Sequence, residues 1–136
     1  MSHHYPFNSL CHVDGQWLHS HSGNSIAVHD PANRQVIGHV PLLDHEQIVA
    51  AVDAAHRAFT AWRQQSLDSR AALLRRWAEL MLEHQEALAR ILSEEQGKPL
   101  AEARGEIAYA ASFIPWFAEE APVSYTHLRA HETPEH

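Results

Sequence analysis

One cysteine, Cys11, occurs in 136 residues. It has no partner for an intrachain disulfide and cannot supply a cysteine-rich zinc site. Five glycines are present, none in a GxGxxG or P-loop run, so no cradle for a nucleotide phosphate is recognisable. No GxSxG nucleophile elbow occurs either. Positive charge is scarce, with 10 Lys+Arg against 17 Asp+Glu and a net charge of −7 with His neutral. The densest basic cluster is Arg75-Arg76, too little for a nucleic-acid or anionic-membrane surface. No apolar run approaches the roughly 18 residues of a membrane span. The first residues lack the charged and then apolar start of a secretory signal. Hydrophobic content of 45% with 20% charged residues is that of a globular chain. A cytoplasmic protein with no nucleic-acid and no membrane partner is expected.

What is present reads as two short N-terminal β-hairpins followed by helices. Leu10–Val13 and Gln16–Leu18 flank Asp14-Gly15, which suits a type I′ turn because both positions tolerate positive φ. Ser25–His29 and Val36–Val40 flank Asp30-Pro31-Ala32-Asn33, where Pro31 presets φ and Asn33 tolerates the left-handed region. At Asp44 the period changes. Asp44 and Gln47 spell a capping box, and Ile48, Val52, Ala55, Phe59 and Trp62 form the apolar stripe of a first helix. Ser66 caps a second, striped by Leu73, Leu74, Trp77, Leu80 and Met81. After a break near His84-Gln85 a third carries Leu88, Ile91 and Leu92 and stops at Gly97, with Pro99 beyond it. The last starts near Leu100 and carries Ala103, Ile107, Ala110, Ile114 and Phe117. Pro115 is expected to kink it without ending it, at a cost of about 3 kcal/mol. After Pro122 the periodicity vanishes.

The side chains with chemistry are mostly explained without a site. Thirteen histidines invite a metal reading, but His3/His4, His19/His21 and Cys11/His12 are pairs, and a zinc site needs three or four converging ligands. Cys11 has no cationic neighbour or helix N-terminus to activate it, so a structural or exposed thiol is the better reading. Glu102 and Glu106 lie four apart on one helix face, a spacing that could poise carboxylates for acid–base work or a cation. A solvated helix surface accounts for the same pattern.

The run Glu95-Gln96-Gly97-Lys98-Pro99-Leu100-Ala101-Glu102-Ala103-Arg104-Gly105-Glu106-Ile107-Ala108-Tyr109 is highly specific. Together with Ala110–Ile114, it resembles the N-terminal region of the aldehyde dehydrogenase superfamily, in particular succinate-semialdehyde dehydrogenases. Val13-Asp14-Gly15-Gln16-Trp17, Asp30-Pro31-Ala32-Asn33 with Val36-Ile37-Gly38, Ala61-Trp62-Arg63 and Arg70–Trp77 resemble further segments in order and spacing. The resemblance covers about residues 10–122. It implies an α/β parent fold, whose Rossmann-like NAD(P)-binding domain begins with residues 1–122. It also implies oxidation of a small-molecule aldehyde by NAD or NADP through a cysteine thioester, in a parent that is a homo-oligomer. The family's nucleophile, water-activating glutamate and cofactor loop have no counterpart here. No catalytic or cofactor-binding residue is therefore assigned, and the chain alone is expected to be inactive. Some members hold a monovalent cation between backbone carbonyls before the Asx-Pro pair and an acidic side chain on the helix after the GKP stop. The matching positions are Val28 or His29 by carbonyl oxygen and Glu106 by carboxylate.

Residues 123–136 depart from the family and look like a translated sequencing-library adapter, so a non-native tail is expected there. A different class of function, a non-catalytic helical interaction module built from the family's front end, would require apolar stripes that satisfy one another. Close relatives of the parent acting on glutarate semialdehyde share these helices.

Overall fold

The computed structural model describes the backbone of residues 8–130 and the side chains of residues 8–120. Four strands precede four helices: β1 (Cys11–Val13), β2 (Gln16–Leu18), β3 (Ser25–His29), β4 (Val36–Pro41), α1 (His45–Trp62), α2 (Leu67–Glu83), α3 (Gln85–Gln96) and α4 (Leu100–Ala130). The mostly helical architecture with two short hairpins follows the patterning. The strands form two separate antiparallel pairs, β1–β2 and β3–β4.

The first hairpin turns as its sequence dictates, with φ of 50° at Asp14 and 73° at Gly15. The second differs in detail, because the left-handed residue is Arg34, with φ 61°, and not Asn33. The side chain of Asn33 makes an Asx bond, accepting from Gln35 N–H at 2.8 Å. Asp30 does the same for Ala32 N–H at 2.8 Å, and the reversal moves one residue along. The β3–β4 register then shifts between Val28 and His29, a bulge that sequence alternation does not announce.

The first two helices begin where a cap was read. Gln47 Oε1 accepts from Asp44 N–H at 3.1 Å, and Ser66 Oγ accepts from Ser69 N–H at 3.1 Å. Both bonds satisfy donors that a helix start leaves open. His84 separates α2 from α3 with non-helical backbone. Gly97 ends α3 in the left-handed region, with φ 71°, and its N–H bonds Ser93 O at 2.8 Å. A Cβ at Gly97 would also come 3.0 Å from Pro31 Cγ, so conformation and space both require glycine there.

The chain divides into two compact units, residues 1–64 with 90–99 and residues 65–89 with 100–136. In the second unit α2 packs against α4. Among the described residues, its buried apolar side chains are all alanines: Ala71, Ala78, Ala89, Ala103, Ala111 and Ala118. Small side chains at these positions allow helices to approach closely. Arg104 Nε lies 2.6 Å from Glu86 Oε2, and Gln85 Nε2 donates to Arg104 O at 2.9 Å. On α2, Arg76 donates to Glu83 at 2.8 Å and to Glu79 at 3.3 Å. The Glu83 bond, chiefly, raises the Arg76 pKa, and the same bond lowers that of Glu83.

The apolar stripes read from sequence are not where the core sits. Val52 is 64% exposed, Trp77 57% and Phe117 59%. Periodicity marks residues that share a face, whereas burial depends on what covers that face. α4 continues past Pro115, as expected, and also past Pro122 to Ala130, beyond the end of the apolar pattern. Helical hydrogen bonds are local, and a proline removes one without obliging the next turn to unwind. The remainder of the tail, 131–136, lies outside the described residues. Among those described, no helix is long and apolar enough to cross a membrane.

Candidate functional site

One concavity belongs to the first unit. A cleft of about 300 Å³ is walled by Val28 of β3, by Ile37, Gly38 and Val40 of β4, and by Ile91 and Glu94 of α3. α3 stops at Gly97, against Pro31 of the β3–β4 turn. Ser93 Oγ reinforces that stop by donating to Lys98 O at 2.6 Å. Two of the most specific sequence segments, the Asp-Pro turn and the Gly-Lys-Pro stop, thus meet in one local structure. Val28, one of the candidate cation ligands, lies on this wall and His29 follows it at the bulge. Glu106 sits exposed on α4, in the second unit. Glu102 precedes it by one turn and is exposed as well, while Arg104 between them pairs with Glu86.

Cys11 is half-buried on β1, and its Sγ lies 3.8 Å from Pro41 O. Its neighbour His12 packs edge-on to Trp17 across the hairpin at 4.8 Å between ring centroids. No group of three or more His, Cys, Asp or Glu side chains converges as a metal site among the described residues. A second cleft, of about 260 Å³, opens beside His19, Ser20 and His39. A third, of about 240 Å³, lies between Val13 and the alanines of α1. None of the three is lined by Lys or Arg, whereas a dinucleotide pyrophosphate calls for cationic or clustered N–H donors. These clefts do not fit NAD(P), and no chemical step is assigned to them.

Sequence reading missed a polar cluster where the connection between β2 and β3 meets α1. Asp44 Oδ1 accepts from Ser22 Oγ at 2.6 Å and from Ser20 Oγ at 3.1 Å. Its Oδ2 accepts from Ser22 N–H at 3.1 Å. Buried Gln47 accepts from His21 N–H at 3.1 Å and donates to His19 O at 2.9 Å. The Asp44-x-x-Gln47 spacing was legible as a cap, but the partners 22 to 28 residues away carried no signal.

Comparison with known proteins gives this geometry its family. Residues 17–135 match the aldehyde dehydrogenase family. The chain is 50% identical over 119 residues to a succinate-semialdehyde dehydrogenase (NADP+) of Escherichia coli, covering 88% of this chain and 25% of that protein. It is 51% identical over 119 residues to a glutarate-semialdehyde dehydrogenase of Pseudomonas putida, with the same coverage. A crystal structure of an NADP-dependent enzyme of E. coli superposes with a TM-score of 0.82 at 52% identity, over 84% of this chain and 24% of that one. The chain belongs to the aldehyde dehydrogenase family. It spans about a quarter of the length of these curated relatives.

Proposed function

We propose that these residues form the front of the cofactor-binding domain of an aldehyde dehydrogenase that oxidises succinate semialdehyde to the carboxylic acid with NADP+ or NAD+. The observation that carries this reading is the 50% identity along 119 residues to a succinate-semialdehyde dehydrogenase. The 51% identity to a glutarate-semialdehyde dehydrogenase supports a second reading, in which the substrate is one methylene longer. In both, the reaction is covalent catalysis, a thiolate adding to the aldehyde and a thioester being hydrolysed. The nucleophile is expected outside these residues, since Cys11 sits on a terminal hairpin with its thiol against Pro41 O. The present residues serve as scaffold. The complete enzyme is proposed to be cytoplasmic and a homo-oligomer, with a monovalent cation held by the carbonyl of Val28 or His29 and by Glu106. The non-native reading of 123–136 rests on its sequence pattern alone, and the native sequence after Ala121 decides it.

The test is cofactor reduction followed by absorbance, with the 136-residue chain and the complete enzyme side by side. Succinate and glutarate semialdehydes are supplied with either cofactor. The chain is expected to give no turnover and the complete enzyme to prefer succinate semialdehyde by kcat/KM. Preference for the longer aldehyde selects the second reading. Turnover by the chain that disappears in Cys11→Ala overturns the scaffold role.

A further inference from the structure

We propose that Asp44 is the trigger of an acid-opened latch that fastens the connection between β2 and β3 to the first turn of α1. The connection has little else to hold it. Within it, Gly23 N–H bonds Ser20 O at 3.1 Å, closing a turn on itself, and Asn24 O accepts from Leu42 N–H at 2.9 Å. Ser20 Oγ and Ser22 Oγ lie 2.8 Å apart within the connection, and its other bonds from residues 19–22 run to two side chains, Asp44 and Gln47. Ser20 and Gln47 are the buried polar residues among those described. Their burial is tolerable only while each polar atom keeps a partner.

The carboxylate is the hydrogen-bonding side chain of this cluster that can change charge. Ionised, Asp44 is acceptor-only and receives three donors from the connection. Protonated, it gives up one acceptor site, and the charge-assisted character of the bonds is lost. The titratable groups beside it are His19 and His21 on the connection and His45 and Glu46 on α1. The bond from Ser22 Oγ, chiefly, holds the carboxyl below the usual carboxylate range, and the charge of His21 lowers it further. The latch is therefore closed at neutral pH and opens as pH falls through that depressed value. Opening has a consequence beyond the turn. His19, Ser20, Gly23 and Asn24 form one side of the 260 Å³ cleft, so releasing them dissolves that wall.

The experiment is pulse hydrogen exchange with mass spectrometry on the 136-residue chain, corrected for intrinsic exchange, between about pH 6 and about pH 3. Protection in residues 19–24 is expected to fall at least about tenfold on acidification, the effect of losing one charge-assisted bond. Peptides from α2 and α4 should keep theirs. Asp44→Asn should show the open behaviour at pH 6 and no further pH response. Ser22→Ala should move the opening midpoint upward, because the largest stabilising bond to the carboxylate is gone. Unchanged protection in residues 19–24 across the wild-type titration overturns the proposal. So does simultaneous loss in α2 and α4, which would mean global unfolding, and so does an Asp44→Asn chain as protected as the wild type.

Discussion

The two units are held together by different physics. In the unit of residues 1–64 and 90–99, two of the three buried side chains among the described residues, Ser20 and Gln47, are polar, and Ala54 is the third. In the unit of residues 65–89 and 100–136, the six buried side chains among the described residues are alanine methyls on α2, α3 and α4. One unit depends on directional bonds from side chain to backbone, which fail when a single partner is lost. The other depends on close helix approach, which fails when a position grows. One chain thus holds two kinds of fragility, and substitutions should separate them.

The largest effect is expected from enlarging an alanine. Ala103→Leu, at a position with no exposure, should weaken hydrogen-exchange protection in α2 and α4 by about 3 kcal/mol, the upper range for overpacking. The exposed neighbour Ala101→Leu should change it by less than about 0.5 kcal/mol. Equal effects at the two positions would remove the alanine seam from the account. Next is Gln47→Ala, which strands His21 N–H and Asp44 N–H. A loss of about 2 kcal/mol confined to residues 19–24 and the first turn of α1 is expected. Spread of that loss into α2 and α4 would break the comparison.

How much of this was legible depended on whether the signal was local. The Asp14-Gly15 turn, the Asp44 and Ser66 caps, the break at His84 and the Gly97 stop are each written within about four residues, and all formed. The second turn misled because Asn33 and Arg34 compete for one left-handed position, and the Asx bond of Asn33 decides between them. The stripes Ile48–Trp62 and Leu73–Met81 correctly marked helices but not burial, because no periodic pattern states what covers a face. The Val28 wall and the Asp44 cluster depend on contacts between distant segments. A sequence without a recognised relative carries no trace of them.

A smaller effect concerns pH. Asp44 and Glu83 are both held below the ordinary carboxylate range, by Ser22 and by Arg76 respectively. A depressed folded-state pKa contributes stability that is complete above the unfolded value and is lost as pH falls through the folded one. Denaturant midpoints of the complete enzyme should therefore fall below about pH 4. Glu83→Gln should reduce that acid dependence while leaving protection in residues 19–24 untouched. A change there would mean that the two units do not respond independently.

The exposed aromatic residues decide whether this account as a whole is right. Trp62 on α1, Trp77 on α2 and Tyr109, Trp116 and Phe117 on α4 are all exposed, while the buried cores beneath them consist of alanines and two polar side chains. Large apolar side chains left exposed on each unit call for further protein to cover them. Sedimentation combined with a thermal melt of the purified 136-residue chain tests this most directly. The account predicts concentration-dependent association and a broad transition. A monomer that melts in one sharp cooperative step would contradict it, because the stripes would then have satisfied one another.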